Sequence, residues 1–310
     1  ETGNTTCDGS LMGNGIEARS FKIPTFQLAV PIRHRQESVQ EYAAEEVVNA
    51  IHFIEEQTGE KFDWDAFFKS MKRFNAETEE FLEWMEISKT DYPQVMGVTL
   101  ALYRYGVYQA AGGRNQAFLD MDKKLTKMAL DAYKSKEMAA KEYRHRAMTW
   151  GVQAAYYTAL PIWLLNCWGV VTIADMLSMV STEMVNTEDK HQAMLDLAYL
   201  YENMIMRNRS NGGYETGVEA LWRFCEMFNI DIVIMYVHMG CKSMSGYHGL
   251  FEEEARKHGI HLIWVTHNLM CPEDGTRRDM RTEINRYMRT VFREEPLDPS
   301  LEDFDDSKSW

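Results

Sequence analysis

The sequence lacks the short motifs that mark nucleotide and nucleophile chemistry. No G-x-G-x-x-G follows a predicted strand, no P-loop is present, and G-x-S-x-G is missing. The first absence argues against dinucleotide binding, and the second argues against ATP hydrolysis. Both a dinucleotide and ATP are usually bound by a glycine-rich turn whose backbone N–H groups reach the phosphates. We therefore expect neither activity on this chain.

Basic residues are also in short supply. The 310 residues include 33 Lys and Arg against 47 Asp and Glu, a net charge of −14. Without a basic surplus to neutralise phosphates, nucleic acid and anionic membranes are disfavoured as partners. The sequence shows neither an apolar run of the ~18 residues that predict a transmembrane helix nor a signal-peptide pattern. The negative net charge is still compatible with a local basic pocket for a phosphorylated small molecule. The polar, glycine-rich loop 208–214 either binds a phosphate through its backbone N–H groups or is a plain connector.

Cysteine is rare and widely spread. There are five cysteines, an odd number, and no C-x-x-C pair. This is a poor disulfide framework and suits a reducing compartment, so we expect a cytoplasmic protein. Local spacing does not predict an iron–sulfur or zinc site.

The chain divides by pattern into four parts. Residues 1–36 are predicted to be the end of an α/β unit, since "IPTFQLAVP" is typical of a short buried strand between prolines. Residues 37–145 are mostly helical, residues 146–292 alternate between strands and helices, and residues 293–310 form an acidic tail that either follows the surface or is disordered. Because the chain opens with Glu1 in a loop-like stretch, we expect its natural beginning, and part of the N-terminal domain, upstream.

The alternating region predicts an α/β fold with a parallel, doubly wound sheet. The strands are "IDIVIMYV", "VVTIADML", "IHLIWVTH" and the weaker "AMTWGVQAA". The helices are "YTALPIWLLNCWG", "YETGVEALWRFCEMFN", "SGYHGLFEEEARKHG" and a last one through "MRTEINRYMRTVF". Gly259 is the predicted C-cap of the third helix, and Thr276 with Asp279 resembles a capping box at the start of the fourth.

Cys241 lies where chemistry is expected in such a fold. It follows a predicted strand, and ligands of open α/β sheets collect outside the carboxyl ends of the strands. It also precedes a helix, whose N-terminal field favours a thiolate or a negatively charged cluster bound through it. Gly240 is expected to permit a sharp bend, and His238 and Lys242 flank the thiol. A buried structural cysteine is an equally open interpretation.

The other cysteines differ in their setting. Cys7, in "TTCDG", lies in a predicted loop before a helix, and it could meet Cys241 only if two α/β domains face each other across a cleft. Cys167 and Cys225 lie on apolar helices and are predicted to be core residues. Cys271 follows a strand and is predicted to lie at the cleft edge, where it could face a substrate.

Several stretches together resemble one family, that of 2-hydroxyacyl-CoA dehydratase and benzoyl-CoA reductase subunits. They are "TTCDG", "IPTFQLAVP", "EYAAEEVVNAIHFIEEQTGEKFD", "IVIMYVHMGCKSMSGYHGLFEEEARKHGIHLIWVTHNLM" and "DGTRRDMRTEINRYM". The resemblance implies flavodoxin-like α/β domains with a large helical region, two related subunits that pair, and a [4Fe–4S] cluster held by three cysteines.

Within this resemblance, Cys7 matches the second cluster ligand and Cys241 the third, while the first is expected upstream of Glu1. His238, Lys242 and Tyr247 are implied as weaker neighbours of the cluster or the substrate. The chain departs from many relatives after its last strand, where they carry acidic residues and it has His267, Asn268 and Cys271. That departure leaves the substrate's acyl group open.

The resemblance implies a radical lyase reaction on an acyl-CoA substrate. One electron added to the thioester carbonyl gives a ketyl radical anion, which expels the 2-hydroxyl group and acidifies the β-proton, and the electron is then returned. A separate ATP-hydrolysing activator supplies the first electron, which agrees with the missing P-loop. Two alternatives stay open: a benzoyl-CoA reductase type of subunit that reduces an aromatic acyl-CoA, and a non-catalytic partner that has lost its cluster.

Overall fold

A computed structural model describes residues 2–4, 8–28, 37–94, 116–138, 142–177, 183–203 and 214–303 of the chain. The chain divides into two compact units, each built from three segments. The first unit consists of Glu1–Phe81, Val107–Met121 and Val180–Gly217, and the second of Leu82–Gly106, Asp122–Met179 and Val218–Trp310. None of the helices within the described ranges is both long and apolar enough to cross a bilayer.

The first unit opens with a small β-α-β arrangement. Strand β1 (Thr2–Asn4) pairs in parallel with β2 (Phe26–Leu28), and helix α1 (Asp8–Phe21) connects them, as parallel strands require. The opening stretch is therefore a strand, where the sequence alone suggests a loop. The predicted strand around "IPTFQLAVP" is confirmed at β2, and position 7 falls between β1 and α1, outside the described residues.

Helices make up the rest of the described part of the first unit. They are α2 (Glu37–Thr58), the beginning of α3 (Trp64–Ser88), the beginning of α4 (Gln116–Lys134) and α6 (Lys190–Glu202). Small residues let α2 and α6 pack closely, since Ala43 and Ala44 share a core cluster with Ala193 and Ala198. Asp63 caps the N-terminus of α3, because its carboxylate accepts a hydrogen bond from the Ala66 N–H at 2.9 Å.

The second unit is built on a four-stranded parallel sheet, which confirms the predicted α/β class. Its strands are β3 (His145–Trp150), β4 (Val170–Asp175), β5 (Ile232–His238) and β6 (His261–His267). They lie in the order β4-β3-β5-β6, so the chain moves from β3 to one side and later returns to the other. This is the flavodoxin-like order of strands.

Helices cover both faces of this sheet, so it is doubly wound. On one face, α5 (Leu160–Trp168) and α9 (Arg277–Tyr287) share a core cluster with alternate residues of β5 and β6. On the other face lie α7 (Tyr214–Met227) and α8 (Lys242–His258), where the Trp264 indole of β6 donates to Glu252 of α8.

The acidic tail follows the surface as far as residue 303. After α9 the chain makes a π-helical turn and packs back onto α5, where the Leu297 N–H donates to the Cys167 carbonyl at 2.7 Å. The Trp163 indole donates to the Leu301 carbonyl at 2.8 Å. The alternative of a disordered end does not apply to residues 293–303.

Candidate functional site

The order of strands predicts a crevice at the carboxyl edge of the second unit's sheet. The chain leaves β3 toward β4 on one side, and β5 lies on the other side, so the order of strands reverses between β3 and β5. Ligands of doubly wound sheets bind at such a switch point. The loops that meet there begin with Gly151 after β3 and with Met239 after β5.

Gly151 lets these loops approach closely. Its φ is +99°, and a Cβ at this position would lie 2.3 Å from the Tyr236 carbonyl oxygen. Contact with backbone atoms is not relieved by side-chain rotation, so only glycine fits. Sequence reasoning missed this residue, although a glycine directly after a strand is a recognised signal of close backbone approach.

The residues after β5 form a tight turn that carries Cys241. The Cys241 N–H donates to the His238 carbonyl at 2.8 Å, and the Met239 N–H donates to the His267 carbonyl at 3.0 Å. The Gly240 N–H donates to His238 Nδ1 at 3.0 Å. Because Nδ1 accepts, the neutral His238 ring carries its proton on Nε2.

Gly240 contributes space rather than an unusual backbone conformation. It is not among the glycines with positive φ, so the bend expected of it needs no left-handed backbone. A Cβ there would lie 3.0 Å from His238 Cε1 and 3.2 Å from Nδ1. The glycine therefore makes room for the His238 ring next to the turn.

Cys241 is the N-cap residue of α8. Its backbone is extended (φ −87°, ψ 98°), its carbonyl accepts from the Ser245 N–H at 3.2 Å, and its half-buried thiol makes no capping hydrogen bond. Ser, Thr, Asp and Asn are the residues usually found at this position because their side chains satisfy the first N–H groups. With cysteine there, those donors and the helix field are available to an anion.

The other predicted neighbours lie at different distances along α8. Lys242 is exposed in the first turn, beside Cys241. Tyr247 comes six residues after Cys241, about 9 Å further along the helix axis. Its ring packs edge-on against Phe251, with centroids 6.3 Å apart. The structure thus brings His238, Cys241 and Lys242 together at the junction between β5 and α8, and it places Tyr247 further along the helix.

His267, at the end of β6, is a buried residue that sequence reasoning noted only as a departure. It is 0% exposed, and its ring stands perpendicular to those of Tyr236 and His238, at centroid distances of 5.6 and 6.0 Å. Neither ring nitrogen makes a hydrogen bond of good geometry to another described residue.

Burial lowers the pKa of His267, and a positive charge on His238 acts in the same direction. The nearby backbone of Asn268 and Val152 favours the protonated ring but does not outweigh the burial. His267 is therefore a neutral group at neutral pH.

Cys271 lies at the same edge of the sheet, where it was predicted. It precedes a short 3₁₀ helix, Pro272–Asp274, and its thiol donates to Glu273 Oε2 at 3.0 Å. The hydrogen bond to that carboxylate raises the pKa of the Cys271 thiol, so this residue is held in the protonated form. Whether it faces a substrate stays a prediction.

Cys167 and Cys225 are core residues, as predicted. Their exposed fractions are 0% and 3%. Burial raises the pKa of each thiol to about 12, so neither is a thiolate at neutral pH. Among the cysteines whose surroundings the structure describes, Cys241 is the one that begins a long helix at the switch point.

The second unit also buries polar side chains, among them Arg281 and Tyr236. Arg281 of α9 is only 2% exposed and donates to the Tyr157 hydroxyl at 3.1 Å. Burial raises the pKa of Tyr236, and the nearby Tyr157 and Asp175 raise it further. A sequence signal existed, since Arg281 falls in the apolar register of Ile284 and Met288, but sequence reasoning missed it.

The described residues do not complete a metal site by themselves. No group of three or more His, Cys, Asp or Glu side chains in the described ranges is arranged to hold a metal ion. Cys7, the other predicted ligand, lies outside those ranges, as does all of the loop 208–214 except Tyr214. The convergence of Cys7 and Cys241 therefore stays a prediction.

Comparison with protein families relates the whole arrangement to known proteins. The model of the 2-hydroxyglutaryl-CoA dehydratase D-component matches residues 2–287, which include the turn with Cys241 and both loops of the crevice. A comparison with curated proteins finds no match. With nearly all of its length matched, this chain belongs to the 2-hydroxyglutaryl-CoA dehydratase D-component family.

Proposed function

We propose that this protein is the iron–sulfur subunit of a 2-hydroxyacyl-CoA dehydratase, a lyase that removes water from a 2-hydroxyacyl thioester. One observation carries the proposal: in a chain of this family, Cys241 begins α8 beside the switch point, and its thiol is not consumed by a hydrogen bond to the helix. The family is that of a dehydratase component, which implies a partner subunit.

The cofactor we propose is a [4Fe–4S] cluster. Cys7 and Cys241 would be two of its cysteine ligands. The surroundings of Cys241 fit such a group, because a half-buried thiolate at a helix N-terminus is stabilised by the N–H groups of the first turn. When bound, a cluster of this kind supplies one electron and a Lewis-acidic iron for the thioester oxygen.

The residues next to Cys241 would bind and orient the substrate. His238 has its Nδ1 engaged by the Gly240 N–H, so Nε2–H is the donor that it can offer to an oxygen of the acyl group. Lys242 adds positive charge at the N-terminus of α8, which favours the anionic groups of a CoA ester. Tyr247 lies further along the helix and is the weakest of these assignments.

The reaction that we propose is redox-neutral. One electron enters the thioester carbonyl, the resulting ketyl radical anion expels the 2-hydroxyl group, the β-proton is lost to a base, and the electron is returned after elimination. The first electron would come from a separate ATP-hydrolysing activator, since this chain has no P-loop. A related second subunit would complete the enzyme.

The test is purification under anaerobic conditions of the wild type and of Cys241→Ser, followed by iron and sulfide analysis. We expect about four irons per wild-type chain and a brown colour, and loss of most of the iron in Cys241→Ser. Cys271→Ser is the matched control, a cysteine at the same edge that should keep its iron.

Product analysis then distinguishes dehydration of a 2-hydroxyacyl-CoA from reduction of an aromatic acyl-CoA. An enoyl-CoA formed from a 2-hydroxyacyl-CoA supports the dehydratase, whereas a dienoyl-CoA formed from an aromatic acyl-CoA supports the reductase. A folded wild-type protein that is colourless and contains no iron would refute the proposal in favour of a non-catalytic partner.

A further inference from the structure

A second group of titratable side chains lies at the amino edge of the second unit's sheet, the edge opposite to Cys241. His145 is the first residue of β3, and Asp231 directly precedes β5. The third member of the group, Glu294, belongs to the tail that follows the π-helical turn. The proposed function uses none of these three residues.

Both ring nitrogens of His145 face carboxylates. Nδ1 lies 2.6 Å from Asp231 Oδ2, and Nε2 lies 3.0 Å from Glu294 Oε1. The other oxygen of Asp231 accepts from the Arg146 N–H at 2.8 Å, which fixes that carboxylate beside the ring. Ionised carboxylates only accept, and a neutral imidazole has a single N–H, so the neutral ring can donate to one of the two carboxylates. Only the protonated ring donates to both.

The bridge from His145 to Glu294 lies where the tail leaves the π-helical turn. Arg293 has a left-handed backbone with a φ of +59°, and the Glu294 N–H donates to the Met288 carbonyl at 3.2 Å. Three residues later, the Leu297 N–H donates to the Cys167 carbonyl of α5 at 2.7 Å. A change at Glu294 therefore acts directly before the contacts that hold the tail on α5.

Aromatic rings fix the position of the imidazole. The ring of Phe292 lies against both His145 and His261, with centroid distances of 4.5 and 4.4 Å. His261, the first residue of β6, has its Nδ1 at 3.2 Å from the Tyr287 hydroxyl of α9. Its partner is thus a hydroxyl group, which can donate or accept and so does not require a protonated ring. His145 differs because both of its partners accept only.

The cations near this group carry their charge at every pH of interest. The Arg144 guanidinium donates to Glu294 Oε2 at 3.3 Å and to the Glu295 carbonyl at 2.8 Å, and it also pairs with Glu142. The guanidinium of Arg146 donates to backbone carbonyls instead. Arginine is not deprotonated in proteins, so these contacts hold the tail equally at low and high pH. His145 is the member of the network whose charge changes near neutral pH.

We propose that His145 controls the attachment of the C-terminal tail by gaining and losing a proton. The protonated ring bridges Asp231 and Glu294, whereas the neutral ring releases one of them, so that residues 293–303 separate from the sheet and from α5 more often. This inference concerns the amino edge of the sheet and does not depend on the proposed function.

The direction of the pH dependence follows from the same contacts. Burial lowers the pKa of His145, but the hydrogen bonds to Asp231 and Glu294 outweigh it and raise the pKa above 6.5. The attached tail is therefore favoured below about pH 6.5, and the advantage is lost as pH rises through the raised pKa. The opening equilibrium of the tail grows about 10-fold for each unit by which Glu294 raises that pKa.

The experiment measures hydrogen exchange of the full chain at about pH 6 and about pH 9, with each rate corrected for the intrinsic effect of pH. The Leu297 amide reports on the tail, and the Ile260 amide, bound to the Ala255 carbonyl at 3.0 Å at the end of α8, is the internal reference. We expect protection of Leu297 relative to Ile260 to fall about 10-fold between the two pH values, the effect of one hydrogen bond to a charged group.

Four variants identify the group that titrates. His145→Gln and Glu294→Gln should each abolish the pH dependence, because neither keeps an imidazolium between two carboxylates. Arg144→Gln is the matched control, which should weaken protection of Leu297 by the same factor at both pH values and keep the dependence. His261→Gln should also keep it.

Two results would overturn the proposal. One is a wild type whose relative protection of Leu297 is the same at about pH 6 and about pH 9. The other is a pH dependence that survives in His145→Gln or disappears in His261→Gln. If His145→Gln does not fold, the wild type and Glu294→Gln decide between the outcomes, because survival of the full pH dependence in Glu294→Gln contradicts the bridge.

Discussion

Replacing Gly151 by alanine should destabilise the second unit more than the same change at Gly249 or Gly259. The new Cβ would lie 2.3 Å from the Tyr236 carbonyl oxygen and 3.2 Å from the carbonyl carbon, and a φ of +99° is unfavourable for alanine. The backbone strain costs about 1–2 kcal/mol, and forcing the two strand ends apart costs about 1–3 kcal/mol. The expected loss in the free energy of unfolding is therefore roughly 2–5 kcal/mol, a large part of a typical domain's stability.

Two other glycines separate the causes. Gly259 has a φ of +68° but open space around its Cβ position, so Gly259→Ala should show the backbone strain alone, about 1 kcal/mol. Gly249 lies inside α8 with open space and no positive φ, and Gly249→Ala should be neutral or stabilising by up to about 1 kcal/mol.

The assay is urea denaturation followed by tryptophan fluorescence, since Trp150 lies directly before Gly151 and is 0% exposed. Thermal midpoints should fall in the same order, with Gly151→Ala lower by on the order of 10 °C. The reasoning about close approach at the switch point is refuted if Gly151→Ala costs no more than Gly259→Ala.

Two further predictions concern charge. Burial lowers the pKa of His145, but hydrogen bonds to Asp231 (2.6 Å) and Glu294 (3.0 Å) outweigh it and raise the pKa above the ordinary 6.5. The stabilisation from the protonated His145 ring is therefore present below about pH 6.5 and is lost as pH rises through the raised pKa. His145→Gln should lower the thermal midpoint more at about pH 6 than at about pH 9, and equal losses at the two pH values would contradict this. Glu273→Gln should lower the pKa of the Cys271 thiol, and iodoacetamide should then modify it faster at the same pH; an unchanged rate would show that the carboxylate does not hold this proton.

The regular elements of the second unit were predictable because local signals agree with tertiary packing. The predicted capping box is present, with the Thr276 hydroxyl accepting from the Asp279 N–H at 3.1 Å. Gly259 ends α8 in the left-handed conformation, as predicted. Strands β5 and β6 read as continuous apolar runs because both their faces are covered by helices.

Other features depend on contacts that a pattern does not encode. Helix α6 was not predicted, since it is held by close packing of Ala193 and Ala198 against α2 rather than by a marked apolar stripe. The need for glycine at position 151 arises from Tyr236, a residue 85 positions away. At the candidate site the position of Cys241 was predictable from the strand and helix around it, whereas the buried, unpaired ring of His267 was not.

The tail packs onto α5 and α9, so the packed part of the second unit extends beyond the residues that the family model matches. The family match ends at residue 287, yet Leu297 and Leu301 still bind backbone and indole groups of α5, and Arg289 forms an ion pair with Glu302. A fragment trimmed to the matched length would leave the Trp163 indole unpaired and expose apolar surface of the helical layer. A C-terminal truncation of the full chain that keeps these contacts therefore ends no earlier than residue 302, and deletion series should be planned from that position.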